Sequence, residues 1–249
     1  MTRDARIDRL WHLIVLPATT LVVLVSTAIV FRRGLLLGDE GYILGQSLAV
    51  ANGEVPYRDL DMFVAPGIWL VNAALFQAFG ASVLMSRLPV AAAYLLTVAT
   101  AYWVVRTTSG RTSAVAVVAL FVAFLLWAFP AWSFSFYSPI ATLCVVMAMA
   151  FQIAWVRHPT APKLLATGVA IGLAVAFKQN YGVYGAVAAA AVVGAVTIAE
   201  AASARAAGRR VATRLLLLGL GGACVVVPLV AYLSAQGAGQ AMFDSLVIR

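Results

Sequence analysis

Charged residues are scarce in this chain, which has 249 residues of which only 10% are Asp, Glu, Lys or Arg. A soluble domain usually carries about a quarter of its residues charged. Acids are the scarcer sign, with nine Asp and Glu against 17 Lys and Arg. Together with a mean hydropathy of +0.98, this composition excludes a soluble globular domain. It predicts an all-α membrane protein that crosses the bilayer several times, because the apolar runs are continuous and do not alternate.

Cysteine and histidine are also rare, with two residues of each type. Cys144 and Cys224 both lie inside apolar runs, which predicts small core residues and not a disulfide or metal pair. No His, Cys and Asp cluster has the spacing of metal ligands. Aromatic residues do not alternate with a basic patch in a soluble stretch, so the net charge of +8 does not indicate a nucleic-acid partner.

Seven apolar runs predict transmembrane helices of roughly 20 residues. They cover His12–Phe31, Leu84–Val105, Ser113–Trp132, Pro139–Val156, Leu164–Phe177, Gly182–Ala199 and Leu215–Leu233. The fifth run is short, but Ala161–Tyr181 as a whole would span. A further run, Gly67–Phe79, is too short to span and follows Pro66, so it predicts an interfacial or re-entrant helix.

The positions of the charges predict the orientation of the helices. With a cytoplasmic N-terminus most bases fall inside, as is typical of membrane proteins. These bases are Arg3, Arg6, Arg9, Arg106, Arg111, Arg157, Lys163, Arg205, Arg209, Arg210 and Arg214. Six acids fall outside, namely Asp39, Glu40, Glu54, Asp59, Asp61 and Asp244. A fully spanning Gly67–Phe79 would invert every later loop and break this pattern.

One long hydrophilic stretch, from Arg32 to about Pro66, lies on the predicted outer side, within an outer loop over residues 32–83 that is predicted to hold short juxtamembrane helices and the active site. Asp39–Asn52 predicts a short amphipathic helix that stops at Asn52-Gly53, and Glu54–Asp61 predicts a polar loop with a turn at proline. On the predicted inner side, Glu200–Arg214 predicts a separate surface helix against acidic headgroups. Arg32 and Arg33 are predicted to bind lipid headgroups.

Asp39 and Glu40 follow the first predicted span directly. Acids at a membrane boundary are costly and frequently functional. They can cap the N-terminus of the following helix, where carboxylates are favoured. They can also act as a general base on an acceptor hydroxyl, or as ligands of a divalent cation. The residues alone leave these alternatives open.

A series of short motifs, in order, surrounds this pair. They are Asp39-Glu40-Gly41-Tyr42, then Gly53 with Pro56-Tyr57-Arg58-Asp59, then Ala65-Pro66-Gly67, Phe79-Gly80-Ala81-Ser82 and Arg87-Leu88-Pro89. The series resembles the GT-C superfamily of polyprenyl-phosphate-sugar-dependent glycosyltransferases, in the branch of protein O-mannosyltransferases and aminoarabinose transferases. The resemblance covers about residues 12–110, and beyond them mainly hydropathy and Lys178.

The resemblance implies a single GT-C-like transmembrane domain over residues 1–249, corresponding to an N-terminal portion without the later spans and C-terminal domain. It implies transfer of a hexose or pentose, with inversion, from a polyprenyl-phosphate-linked sugar to a glycan, lipid or protein. Asp39 would be the base, and Glu40 would shape the site or bind the acceptor. The expected location is the cytoplasmic membrane of a bacterium, with the N-terminus inside and the active site outside.

The resemblance also implies which residues bind substrate, namely Tyr42, Tyr57, Arg58, Asp59, Arg87, Lys178 and Gln179. Lys178 is the expected phosphate contact, although snorkelling to the interface would also explain it. Arg58 can instead pair with Asp59 or Asp61, and Arg87 can tether structure. One motif departs from the family, which usually has Lys or His just before its Pro-Pro-Leu element, where this chain has no base in residues 63–67.

The aromatic segment Trp132–Ser138 predicts either an interfacial belt or a surface for sugar stacking. Gly172, Gly219, Gly221 and Gly222 predict close helix packing. Two other functions remain open at this point. One is a catalytically inactive GT-C-like remnant or partner subunit. The other is a lipid or solute transporter, which the concentration of charges at the ends of the spans disfavours.

Overall fold

The chain is all-helical in a computed structural model that describes residues 11–31, 38–127, 134–201 and 203–248. The α-helices of these ranges are α1 Leu16–Phe31, α2 Asp39–Ala51, α3 Gly67–Phe79, α4 Val83–Ser109, α5 Arg111–Trp127, α6 Tyr137–Arg157, α7 Ala161–Phe177, α8 Gln179–Ala199, α9 Ala204–Ala235 and α10 Gly239–Phe243. Short π-helical segments, Trp11–Val15 and Asp244–Ile248, adjoin the first and last of them.

Four helices of the described ranges are long and apolar enough to cross a membrane, namely α4, α6, α8 and α9. Helices α1, α5 and α7 lie on the other three predicted spans and have 16, 17 and 17 residues. At 1.5 Å per residue they are about 24–26 Å long, somewhat less than the ~30 Å hydrocarbon layer. The predicted class, an all-α membrane protein with short helices after its first apolar helix, is confirmed.

The two short helices form where the sequence predicts them. Helix α2 begins at Asp39 and ends at Ala51, just before Asn52 and Gly53. Gly53 has a φ of 102°, which glycine adopts without strain. Helix α3 covers the predicted Gly67–Phe79 and is about 20 Å long, too short to cross the hydrocarbon layer. Its position in the membrane interface stays a prediction.

Charges separate towards the two ends of the helical bundle. One end, called here the site end, joins the starts of α2, α4 and α6 to the junction of α7 and α8 through side-chain hydrogen bonds. The other end, called here the basic end, holds Arg157, which donates to the carbonyl of Thr107, and Arg214, which pairs with Glu200 at 3.1 Å. Which end faces the cytoplasm stays a prediction. Predictions for Arg3, Arg6, Arg9, Arg32, Arg33, Trp132 and Ser133 lie outside the described residues.

Helices α7 and α9 approach so closely that only glycine fits between them. A Cβ atom on Gly221 would lie 2.2 Å from the carbonyl oxygen of Leu165, and one on Gly168 would lie 2.1 Å from that of Leu218. Small residues at such contacts let membrane helices associate. The predicted packing is wrong for Gly219, which has no neighbour within 4 Å of that position. The residues of the prediction that do lie at the contact are Gly172, Gly221 and Gly222.

Helix α9 corrects the prediction of a separate surface helix over 200–214. It runs without a break from Ala204 to Ala235, 32 residues. Ser203 caps its start by accepting a hydrogen bond from the backbone N–H of Ala206. The basic and apolar halves join because alanine, arginine and leucine are all strong helix formers and no proline stands between the halves, since Pro228 lies further along the helix.

Candidate active site

Asp39 is the first residue of α2, and its carboxylate is exposed at the site end. The start of a helix favours a negative charge. Asp39 forms no ion pair with any residue that the structure describes. Its charge acts on the phenol of Tyr137, at the start of α6. Asp39 is therefore available to solvent or to a ligand.

Glu40, the next residue, is in the opposite situation. It is fully buried and makes a two-pronged ion pair with Arg87 of α4, in which Nε–Oε1 and Nη2–Oε2 are both 2.6 Å. Arg87 is only 4% exposed and also donates to the carbonyl of Phe31 at 3.0 Å. Planar guanidinium and carboxylate groups match in this geometry. The structure thus places Glu40 and Arg87 where they tether α1, α2 and α4, and not where a substrate would reach them.

A buried polar network continues from Glu40. The backbone N–H of Ser135 donates to Glu40 Oε1 at 3.4 Å. Asn72 of α3 donates to Ser135 Oγ at 3.0 Å and to Ser47 Oγ of α2 at 3.3 Å. Sequence reasoning missed Asn72 and Ser47, since an isolated polar residue on an apolar helix face gives no indication of its distant partner. The network fixes the short helices and the start of α6 relative to one another.

Aromatic rings cover the surface between Asp39 and the α7–α8 junction. This aromatic surface consists of Tyr42, Phe63 and Tyr137. Tyr42 stacks on Phe63 with centroids 6.5 Å apart and meets the edge of Trp69 at 6.4 Å. Trp69 lies beneath, fully buried, 6.2 Å from Tyr137. The Tyr42 hydroxyl donates to the carbonyl of Asp61 at 2.8 Å, and burial raises the pKa of Tyr42.

Lys178 is the cation of this surface. It is the single residue between α7 and α8, and its Nζ donates to Ser138 Oγ at 3.0 Å. The ammonium also lies 5.3 Å from the ring centre of Tyr137 and 4.6 Å from that of Tyr181. Burial lowers the pKa of Lys178. No acid forms an ion pair with Lys178 among the residues that the structure describes, so its charge is balanced only by rings and a hydroxyl.

Gln179 holds the loop before α3 against this junction. Its side chain accepts from the N–H of Ala65 at 3.2 Å and donates to the carbonyl of Phe63 at 3.3 Å. Gly67 allows the close approach, because a Cβ there would lie 2.6 Å from the carbonyl oxygen of Ala176. The segment over residues 63–67 therefore lies beside the α7–α8 junction.

Tyr57, Arg58 and Asp59 form a separate turn. Tyr57 has a φ of 67°, is buried, and donates its hydroxyl to the carbonyl of Val64 at 2.9 Å. Arg58 binds Asp59 with two hydrogen bonds and the carbonyl of Gln236 with a third, at 3.0 Å. The Arg58 hydrogen bonds, followed by the backbone bond to residue 55, lower the pKa of Asp59 to about 2. Of the alternatives that the sequence leaves open for Arg58, the structure shows the local pair with Asp59, and Arg58 also ties the loop to the end of α9.

An apolar groove of about 570 Å³ runs between α6 and α8. Tyr181 belongs to its lining and is also the ring that lies against Lys178. Val145, Met149 and Val192 line it further along. The groove therefore leads from the ring beside the ammonium along the outer side of α6 and α8 towards the basic end.

A divalent cation held by the Asp39–Glu40 pair does not fit this arrangement. Both oxygens of Glu40 accept from Arg87, which leaves only Asp39 to bind a metal ion. The described residues contain no group of three or more His, Cys, Asp or Glu side chains that would hold one. Of the predicted site residues, the structure brings Asp39, Tyr42, Lys178 and Gln179 to one surface, and it places the remainder in the buried pair and the separate turn.

Comparison with known proteins gives one structural likeness. The fold is similar to that of ArnT from Cupriavidus metallidurans, whose crystal structure was determined bound to undecaprenyl phosphate, with a TM-score of 0.63. The two chains share 23% sequence identity over 94% of this chain, which spans 43% of the length of that protein. No protein-family model and no curated protein matches the sequence. The chain therefore has an ArnT-like membrane fold.

Proposed function

We propose that this chain is a membrane glycosyltransferase that moves a sugar from a polyprenyl-phosphate donor to an acceptor hydroxyl outside the cytoplasmic membrane. The observation that carries the proposal is that Tyr137 lies between two opposite charges in its surroundings: its phenol feels the charge of the exposed Asp39 carboxylate, and its ring centre lies 5.3 Å from Lys178, a cation without an acidic partner among the described residues. The similar fold of ArnT, a protein solved with undecaprenyl phosphate, supports the choice of a lipid phosphate.

The phosphate of the donor is assigned to Lys178. A partly buried ammonium without a carboxylate partner binds an anion more strongly than a solvated one, because fewer water molecules compete. The groove that begins at Tyr181 is apolar and open on one side, which suits a prenyl chain. The phosphate and its tail would then lie at the α7–α8 junction and along α6 and α8.

The acceptor is assigned to the side of Asp39. Its carboxylate takes the hydroxyl proton while the acceptor oxygen attacks the anomeric carbon of the sugar. The bond from that carbon to the phosphate oxygen breaks, and polyprenyl phosphate leaves with the electron pair, next to Lys178. Attack opposite to the leaving group inverts the anomeric configuration. The aromatic surface between the two charges would stack against the sugar ring.

The segment before α3 supplies no charge to this site. Where the family usually has a base, Ala65 donates its backbone N–H to Gln179. Lys178 is thus the cation that the proposal depends on, since Arg58 and Arg87 are both held by carboxylates. An inactive partner subunit that only binds the lipid phosphate would have the same surface. The experiments below distinguish such a partner from an enzyme.

The test measures transfer of radiolabelled sugar from a pool of polyprenyl-phosphate-linked sugars. The membranes used contain this chain and lack any full-length relative of it. Asp39→Asn is expected to lower the rate by about 10²–10⁴-fold, the usual contribution of a general base. Glu54→Gln is the matched control, because Glu54 is another exposed carboxylate of the same segment and has no ion-pair partner in the described ranges. The control is expected to transfer at the wild-type rate.

Binding of undecaprenyl phosphate to the purified chain provides a second measurement that does not need turnover. Lys178→Gln should weaken this binding, whereas Lys163→Gln at the basic end should not. If the wild-type chain binds the lipid but transfers no sugar, the chain is an inactive lipid-binding partner and not an enzyme. Equal binding by wild type and Lys178→Gln would refute the assignment of the phosphate.

A further inference from the structure

The first turns of α9 form a strongly basic cleft at the end of the bundle away from Asp39. Its volume is about 650 Å³, and its lining includes Arg205, Arg209, Arg210 and Arg214. The opposite end of the same helix reaches the site end, where the carbonyl of Gln236 accepts from Arg58. The cleft is therefore separate from the candidate active site by the full length of α9.

Three of the four arginines have no acidic partner among the described residues. Arg205, Arg209 and Arg210 are exposed and form no ion pair with the residues that the structure describes. Arg214 differs, because it donates to Thr197 at 2.8 Å, pairs with Glu200 and lies over the ring of Trp155. The Arg214 side chain is thus held in place on one side of the cleft by its own contacts. The other three guanidinium groups can bind an anion.

The length of α9 places these arginines at the level of lipid headgroups. Its 32 residues extend about 48 Å, whereas the hydrocarbon layer is about 30 Å thick. The apolar part from Leu215 onwards covers about that thickness. The basic first turns consequently continue into the headgroup layer.

An apolar stripe follows the arginines along the same face of α9. Arg209, Thr213, Leu216 and Leu220 are spaced by three or four residues, which brings them onto one side of the helix. Leu216 is 63% exposed and Leu220 is 48% exposed. A ligand with a phosphate at one end and a long apolar tail fits this face better than a free anion does.

We propose that this cleft binds the phosphate of an anionic phospholipid, whose acyl chain lies along Leu216 and Leu220. Guanidinium groups form paired hydrogen bonds to phosphate oxygens. The lipid belongs to the leaflet at the basic end and is distinct from any donor lipid at Lys178. It anchors α9, the helix whose other end contacts the loop of the candidate site.

The test uses the purified full chain in neutral detergent, titrated with acyl-labelled phosphatidylglycerol or with phosphatidylcholine carrying the same label. Wild type is expected to bind the anionic lipid at least tenfold more tightly. Arg209→Gln should lower this preference about fivefold, the effect of one basic residue at an anionic surface. The combined change R205Q/R209Q/R210Q should abolish it.

Lys163→Gln is the matched control, because it removes one positive charge from the same end but outside the cleft, where Lys163 donates to the carbonyl of His158. Thermal unfolding of each variant checks that the variant is folded. If the triple variant does not fold, Arg209→Gln alone tests the proposal. Equal affinity of wild type for the two lipids would overturn the proposal. An equal loss in Lys163→Gln would overturn the location, and displacement of the lipid by millimolar inorganic phosphate would show a free-anion site.

Discussion

The buried pair of Glu40 and Arg87 gives the largest stability effect that the structure predicts for a single side chain at the site end. Both partners are almost fully buried, and their two contacts are each 2.6 Å. Arg87→Met removes the guanidinium with its charge and hydrogen bonds and keeps an unbranched apolar side chain in place of the arginine stem. Glu40 then remains as an uncompensated buried carboxylate.

Breaking one half of a buried ion pair costs about 3–5 kcal/mol. That loss raises the equilibrium constant for unfolding by about a hundredfold or more. Removing both charges, in Glu40→Leu with Arg87→Met, leaves no unpaired charge, and such replacements are often neutral or stabilising. The double variant should therefore be more stable than either single variant.

Reversible unfolding in mixed detergent micelles, followed by the far-UV circular dichroism of the helices, measures these free energies. Arg58→Met is the comparison, because the Arg58–Asp59 pair has side chains 46% and 32% exposed. An exposed pair contributes at most about 1 kcal/mol. If Arg87→Met costs no more than Arg58→Met, or if the double variant is less stable than both single variants, the buried pair does not hold α2 to α4 as argued.

The remaining predictions concern the α7–α8 junction and the loop. Gly182→Ala should destabilise the protein by about 1–3 kcal/mol, because its Cβ would lie 2.5 Å from the backbone nitrogen of Val175, whereas Gly194→Ala, with nothing within 4 Å, should be neutral or stabilising in the same unfolding assay. Burial lowers the pKa of Lys178 below 10.5, so lipid-phosphate binding should fall, as pH rises, earlier than for an exposed lysine, and Lys178→Arg should remove this dependence. Tyr57→Phe loses a buried hydrogen bond to a backbone carbonyl and should cost about 1 kcal/mol of unfolding free energy.

The helices of this protein are largely predictable from the sequence. The bounds of α3 were predicted to the residue and those of α2 to within one, because an apolar run followed by a positive-φ glycine is a local pattern. The continuity of α9 was missed, since a change from basic to apolar residues resembles a boundary although no residue breaks the helix.

The candidate site was predictable only in part. The sequence pointed to Asp39 and Lys178, and in the structure Lys178 lies 5.3 Å from the ring centre of Tyr137, whose phenol also feels the charge of Asp39. The sequence did not show that the Glu40 carboxylate would form an ion pair with Arg87, 47 positions further along the chain. Partners so far apart are decided by how helices pack, which periodicity and motifs do not encode.

The single-residue connection between α7 and α8 at Lys178 bears on the thickness of membrane that suits this protein. Helix α7 is about 26 Å long, Lys163 lies near its start, and Lys178 follows its last residue directly. Gly182 allows α8 to pack directly against the last turns of α7, so no flexible segment separates Lys178 from the two helices. The height of the ammonium therefore depends on the thickness of the bilayer. A thin bilayer presents it to water, and a thick one draws the site end towards the hydrocarbon, so lipid chain length becomes a control on the site.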